Sequence, residues 1–263
     1  MTEVIEDRSE IEASKAPLLD HLIELRRRLL YSMGALVVAF GASLYFARPI
    51  LKVLVAPLRK AGQLILVNTD VYGGFMVEVK VAFFTAVMVS FPITANQIWR
   101  FVAPGLYRNE RRALLPFLLA TPVLFSMGAA LAYFFVIPPA LKFLFGFQGD
   151  LGGVTQKALP DVASYLKVVM QFLFGFGFAF LLPVLLMLLE RAGIVTRKQL
   201  VGARRYAIVA NFAAAALLTP PDPWSMMLLA LPLVVLYELA LFGILITERR
   251  RARQTAIELP AGE

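Results

Sequence analysis

Cysteine is absent from this 263-residue chain and histidine occurs once, at His21. The first absence excludes disulfides, thiolate catalysis and zinc sites built on thiolates. The second leaves a lone imidazole with no companion ligands, which reads as a surface residue. Charge is scarce as well: 17% of residues are charged against 59% hydrophobic, and the mean hydropathy is +0.73, far outside the range of soluble domains. No GxxxxGK[ST] loop, HExxH helix or GxSxG elbow occurs, which removes the usual apparatus of nucleotide hydrolysis, zinc proteolysis and serine hydrolysis. The chain therefore reads as an all-α polytopic membrane protein with no cofactor, and not as an enzyme.

The net charge of +8 does not point to nucleic acid, because the basic residues gather at the ends of apolar runs, which is how membrane topology is written. Clusters fall at residues 26–28, 108–112, 191–205 and 249–253. Counting the runs between them gives six crossings with every cluster on one side, so both termini are expected in the cytoplasm. The opposite side carries only Arg48, Lys52, Arg59, Lys60, Lys142 and Lys157.

Taken in order, residues 1–17 are acidic and without periodicity, which predicts a flexible tail and no cleavable signal. Residues 18–248 form the six-helix domain, and 249–263 a basic and polar cytoplasmic tail. From Leu18 the spacing of Leu18, Leu22, Leu25 and Leu29 predicts an amphipathic surface helix running into a first span at 29–46. Residues 48–75 mix prolines and glycines with short apolar bursts, which predicts an external loop with short helices. A second span follows at 77–99. A third, at 113–137, is expected to stop at Pro138 and Pro139. Residues 147–160 are Gly-rich and form a second external loop, and the fourth span covers 165–189.

The fifth run, 206–218, offers 13 residues, about 20 Å of helix against a hydrocarbon core of about 30 Å. Its partner, 224–237, is nearly as short before Glu238 interrupts it, so a short hairpin is expected around TPPDP. Glu238 reads as an interfacial acid near Arg249–Arg251. Prolines 92, 116, 122, 183 and 232 lie inside spans and predict a kinked, concave bundle.

Between the second and third spans lies FVAPGLYRNERR, residues 101–112. Glu110 there has no cation three or four residues away, whereas Arg108 and Arg112 are four apart from each other. A carboxylate without a built-in partner is able to receive one from a guest. Glu24 has Arg27 and Arg28 at i+3 and i+4, the spacing of a self-satisfied surface pair. Asp222 followed by Pro223 has the form of a helix start.

Several stretches together, HLIELRRRL at 21–29, FVAPGLYRNERR at 101–112, AYFFVIP at 132–138, ASYL at 163–166 and LLTPPDPWS at 217–225, are similar to those of TatC, the receptor subunit of the twin-arginine protein translocase. The resemblance covers residues 17–248. It implies a multi-pass protein of the inner membrane that binds twin-arginine signal peptides at its cytoplasmic face. It further implies export of folded proteins with TatA- and TatB-type single-span partners, driven by the proton gradient, within a homo-oligomeric complex. Carried onto this sequence, Glu24 and Glu110 are the acidic contacts for the signal arginines, and Arg26, Phe101 and Leu106 neighbouring positions. Pro57 and Tyr133 match positions linked to activity. Thr219 and Asp222 match the outer end of the short hairpin where partner helices dock.

Two positions depart from the family pattern: Leu181 stands where a Glu or Gln is expected two residues before a proline, and Met226 where a Gln is frequent. Gln171 lies ten residues before Leu181 and about 80° off its helical face. The alternative reading, a small-molecule secondary transporter, is disfavoured because no paired Gly/Pro-interrupted spans occur in corresponding halves.

Overall fold

The computed structural model describes the backbone of residues 3–63, 65–106, 115–150, 152–153, 155–156, 159–191, 193–219 and 223–258. Side chains are described for all of these except 3–21, 102–106, 115–117, 150, 155–156 and 250–258. Nearly all of it is helix. Five helical stretches are long and apolar enough to cross a bilayer: Leu22–Tyr45, Gly73–Phe101, Leu118–Phe145, Val162–Arg191 and Pro223–Arg249. By contacts the chain divides into two units, one of Met1–Ala47 with Val79–Leu118 and the other of Arg48–Glu78 with Leu119–Glu263.

In the first unit α1 (Glu3–Tyr45) is a single helix. The expected surface helix and first span are thus continuous, and residues 3–17, read as a flexible tail, have helical backbone. The stretch is rich in Glu and Ala, and extending an existing helix costs far less than starting one. Val37 and Val38 on α1 are exposed, as suits a helix with a lipid-facing side. Its neighbour, the part of α3 (Gly73–Leu106) beyond Val79, buries Val81, Ala82 and Ala86 and meets α1 edge-on through Phe83 and Phe40, 6.3 Å between ring centroids.

The second unit begins with α2 (Ala47–Lys60), amphipathic as expected of the first loop, with Leu54, Pro57 and Leu58 buried. The third long stretch consists of α4 (Leu115–Leu131), a π-helical turn Ala132–Val136 and α5 (Ile137–Phe145). The expected stop at Pro138 and Pro139 does not occur. Proline lacks the N–H and crowds the carbonyl four residues back, and the π turn just before the pair widens the helix so that the prolines fall at the start of α5. A two-stranded ribbon, β1 (Gly149–Asp150) with β2 (Thr155–Gln156), occupies the Gly-rich loop.

The fourth stretch breaks where Pro183 predicts a kink: α6 (Val162–Ala179) and α7 (Leu182–Arg191) are separated at Phe180 and Leu181. α4 and α6 approach closely through exchanged small residues. A Cβ on Gly128 would overlap the Phe176 carbonyl, and one on Gly177 would come within 2.7 Å of the Phe125 ring. After α8 (Arg197–Gly202), closed by a Thr196–Gln199 capping box, α9 (Arg204–Leu218) has 15 residues, about 22 Å, short as expected.

Its partner is not short. α10 runs unbroken from Pro223 to Glu258, 36 residues, past Glu238 and into the segment read as a tail. Glu238 does not interrupt it because the carboxylate meets Arg204 on α9, Nη2 to Oε2 2.8 Å, with both side chains half exposed. Beside this pair the Tyr237 hydroxyl donates to the Leu200 carbonyl at 2.7 Å, and Leu200, Tyr237, Leu241 and Ile244 are buried together.

Candidate functional site

The expected acidic site is described on one side only. Glu110 and the rest of residues 107–114 lie outside the described residues, as do Asp222 and the side chain of Leu106. On α1, Glu24 is already engaged: Arg28, four residues on, donates from both Nε and Nη2 to its Oε1, the Nε contact at 3.0 Å. Glu preceding Arg at i,i+4 is the favourable order on a helix. Glu24 is 34% exposed and Arg28 20%, so the pair is open enough for water to weaken it. Arg27 instead lies over the Tyr31 ring, 5.8 Å from its centroid. Arg26 is exposed, and its position two residues on turns it about 160° from Glu24 around the helix. Phe101, near the end of α3, is half-buried.

The structure links Pro57 and Tyr133, two positions matched to the family pattern, through the Val53 carbonyl. Pro57 in α2 has no N–H, so the Val53 carbonyl four residues earlier lacks its helical donor. The Tyr133 hydroxyl supplies one, at 2.7 Å. Tyr133 stands in the π turn, where the altered spacing of the third stretch re-aims the side chain. A second tyrosine serves the next carbonyl: Tyr165, buried on α6, donates to Leu54 O at 2.8 Å. Sequence reasoning gave Tyr165 no role, although a tyrosine in so apolar a run requires a partner for its hydroxyl.

The same unit is tied at its loops. Val67 N–H donates to Pro160 O at 3.1 Å and Val162 N–H to Val67 O at 3.0 Å. Asp161 caps α6 by accepting from Ser164 N–H at 3.0 Å and also accepts from the Thr69 hydroxyl at 3.2 Å. These bonds, the Ser164 N–H foremost, hold the Asp161 carboxyl below its ordinary value.

Of the expected partner-docking positions, Thr219 ends α9 buried, and its hydroxyl donates to Ala215 O at 2.9 Å. Leu181 lies at the break between α6 and α7, and Met226 in the first turns of α10, both half-buried. Gln171 is turned toward the chain's own short helix: its Nε2 donates to Leu218 O at 3.4 Å, one residue before Thr219. Gly175, a turn further along α6, packs against Leu218, whose Cδ2 would be 3.3 Å from an added Cβ and would have to shift slightly.

Residues 20–232 match the family model described as Sec-independent protein translocase protein (TatC). The chain is 46% identical to the Sec-independent protein translocase protein TatC of Magnetococcus marinus over 93% of this chain and 89% of that one. It is 40% identical to that of Escherichia coli K12 over 86% of this chain and 87% of the relative. To the TatC of Aquifex aeolicus it is 36% identical, covering 91% of this chain and all of the other. Among solved structures it is similar to the crystal structure of the twin arginine translocase receptor TatC in DDM, with a TM-score of 0.72, 35% identity, and coverage of 84% of this chain and 98% of that chain.

Proposed function

This chain belongs to the TatC family, and from that premise we propose that it is the receptor for twin-arginine signal peptides, holding their paired arginines on Glu24 and Glu110 at the cytoplasmic face. An integral membrane component of a Sec-independent protein translocase needs a way to select its cargo, and the family match over residues 20–232, which spans both acids, is the observation that supports this reading. The pair is partly buried, Glu24 34% and Arg28 20% exposed, so a guest arginine must compete with Arg28 for this carboxylate.

A guanidinium and a carboxylate about 4 Å apart interact by roughly 4 kcal/mol at an effective dielectric near 20, against about 1 in bulk water. Arginine offers a flat fork able to take both carboxylate oxygens, whereas lysine offers a point charge on a flexible stem. Selection between the two follows from geometry. Arg26 faces away from Glu24 and contributes to the field around the site, while Phe101 and Leu106 border the segment that carries Glu110.

Both termini lie in the cytoplasm in this reading, since all four arginine clusters then share the inner side of the inner membrane. TatA- and TatB-type helices dock at the outer end of the hairpin, marked by Thr219 and Asp222, with Leu181 on the fourth stretch and Met226 on α10 as further contact positions, and several copies assemble. With no nucleotide site, work comes from the membrane potential, roughly 2.3 kcal/mol per charge per 100 mV.

The test is a photocrosslinking side chain at position 110 in membranes carrying the protein. It should capture a signal peptide with paired arginines and should fail when both arginines are replaced by lysine. Equal capture of the two peptides contradicts the reading.

A further inference from the structure

α2 carries four of the six cations that the sequence reading leaves on the outer side. The topology read from the sequence puts it in the external loop after the first span, yet it carries Arg48, Lys52, Arg59 and Lys60 and no acid. Helical geometry places Arg48, Lys52 and Arg59 within about 40° of one another on one face, spread over about 16 Å. That face borders a cavity of about 770 Å³, walled also by valine and leucine side chains of α2, by Glu78 and by the Tyr133 ring.

One cation there is neutralised: Arg48 Nε meets Glu78 Oε1 at 2.9 Å. Lys52 and Arg59 are exposed, and among the described residues neither has an ion-pair partner. The lining therefore combines two cations without an ion-pair partner among the described residues with an apolar wall. Tyr72, in the turn leading to α3, and Phe75, in the first turn of α3, are exposed and have the character of interfacial anchors.

We propose that this cavity is a binding site for an anionic phospholipid of the outer-facing leaflet, its phosphate held by Lys52 and Arg59 and its acyl chains lying on the apolar wall. Two cations beside a low-dielectric wall match a phosphate diester with attached hydrocarbon. A soluble phosphate satisfies only the first half of that surface. A lipid held there braces α2 and, through Val53, the Tyr133 contact. The site is independent of the signal-peptide reading, which concerns the opposite face.

The experiment is native mass spectrometry of the full-length protein released from detergent in the presence of phosphatidylglycerol, phosphatidylcholine or soluble glycerol 3-phosphate. The wild-type protein should retain phosphatidylglycerol in preference to phosphatidylcholine. The Lys52→Gln, Arg59→Gln double variant should lose that retention by about 30-fold. Two controls guard the interpretation. Lys142→Gln with Lys167→Gln removes the same charge from exposed positions elsewhere in the chain and should change nothing. Lys52→Arg with Arg59→Lys keeps the charge and should keep the lipid, which separates lost binding from lost folding. Unchanged retention in the double variant, equal loss in the distant control, loss in the charge-preserving variant, or displacement of the lipid by glycerol 3-phosphate at matching concentration would each overturn the proposal.

Discussion

The hydroxyl of Tyr133 donates to the carbonyl of Val53 at 2.7 Å, the oxygen that Pro57, four residues on, cannot serve. A proline that breaks one backbone bond in α2 is thus matched by a tyrosine from a π turn, 80 positions from the carbonyl it serves. The pairing makes the two residues a unit.

Tyr133→Phe should cost about 0.6–1.5 kcal/mol of stability, the range for an interhelical hydrogen bond in a membrane protein. In a Pro57→Ala background the cost should shrink, because alanine at that position restores an N–H able to reach Val53 O. Thermal unfolding of the four proteins in a double-mutant cycle measures the coupling. Strict additivity would show that Tyr133 and Pro57 act separately.

Much of this was legible in the sequence, and what was not has identifiable causes. Apolar run lengths and arginine clusters marked out the long helices, and the 13-residue run before TPPDP was correctly short. Pro138 and Pro139 misled, because local rules for proline do not anticipate a π turn that absorbs both. Glu238 misled for the same kind of reason: its partner, Arg204, is 34 residues away, so nothing nearby signals that the acid is satisfied inside a continuous helix. At the candidate site, Glu24 with Arg28 was legible because i,i+4 spacing is a local property. The role of Tyr165 was not, since its acceptor, Leu54 O, belongs to another helix.

Acid should loosen the junction between the two loops. The Asp161 carboxyl is held below its ordinary value chiefly by the Ser164 N–H, with Thr69 adding to it. A lowered native value means that the contribution is complete above the ordinary carboxylate range and disappears as pH falls through the native value. The midpoint of thermal unfolding in detergent should drop over that acid window. Asp161→Asn, which retains a capping oxygen without the charge, should flatten the response. A variant with the same acid response as the parent would remove Asp161 from the explanation.

Leu181 and Met226 put apolar side chains at two expected docking positions where polar ones occur in the family pattern, and Gln171 donates to Leu218 O at 3.4 Å. Leu181→Glu combined with Met226→Gln should increase the yield of site-specific crosslinks to a TatA-type helix bearing a polar residue, because a hydrogen bond within the bilayer is worth about 0.6 kcal/mol on average and up to about 1.7. An unchanged yield would mean that partner helices approach this chain elsewhere.

The most direct test of the receptor reading is the affinity of a twin-arginine peptide for membranes carrying three forms of the protein. Glu24→Gln should weaken binding by about tenfold or more, the consequence of about 1.4 kcal/mol, and should erase the preference for arginine over lysine at that contact. Arg28→Gln removes the internal competitor and should leave binding intact or tighten it. If Arg28→Gln weakens binding as much as Glu24→Gln does, the pair is only a structural clasp on α1, and recognition of the signal arginines through Glu24 is wrong.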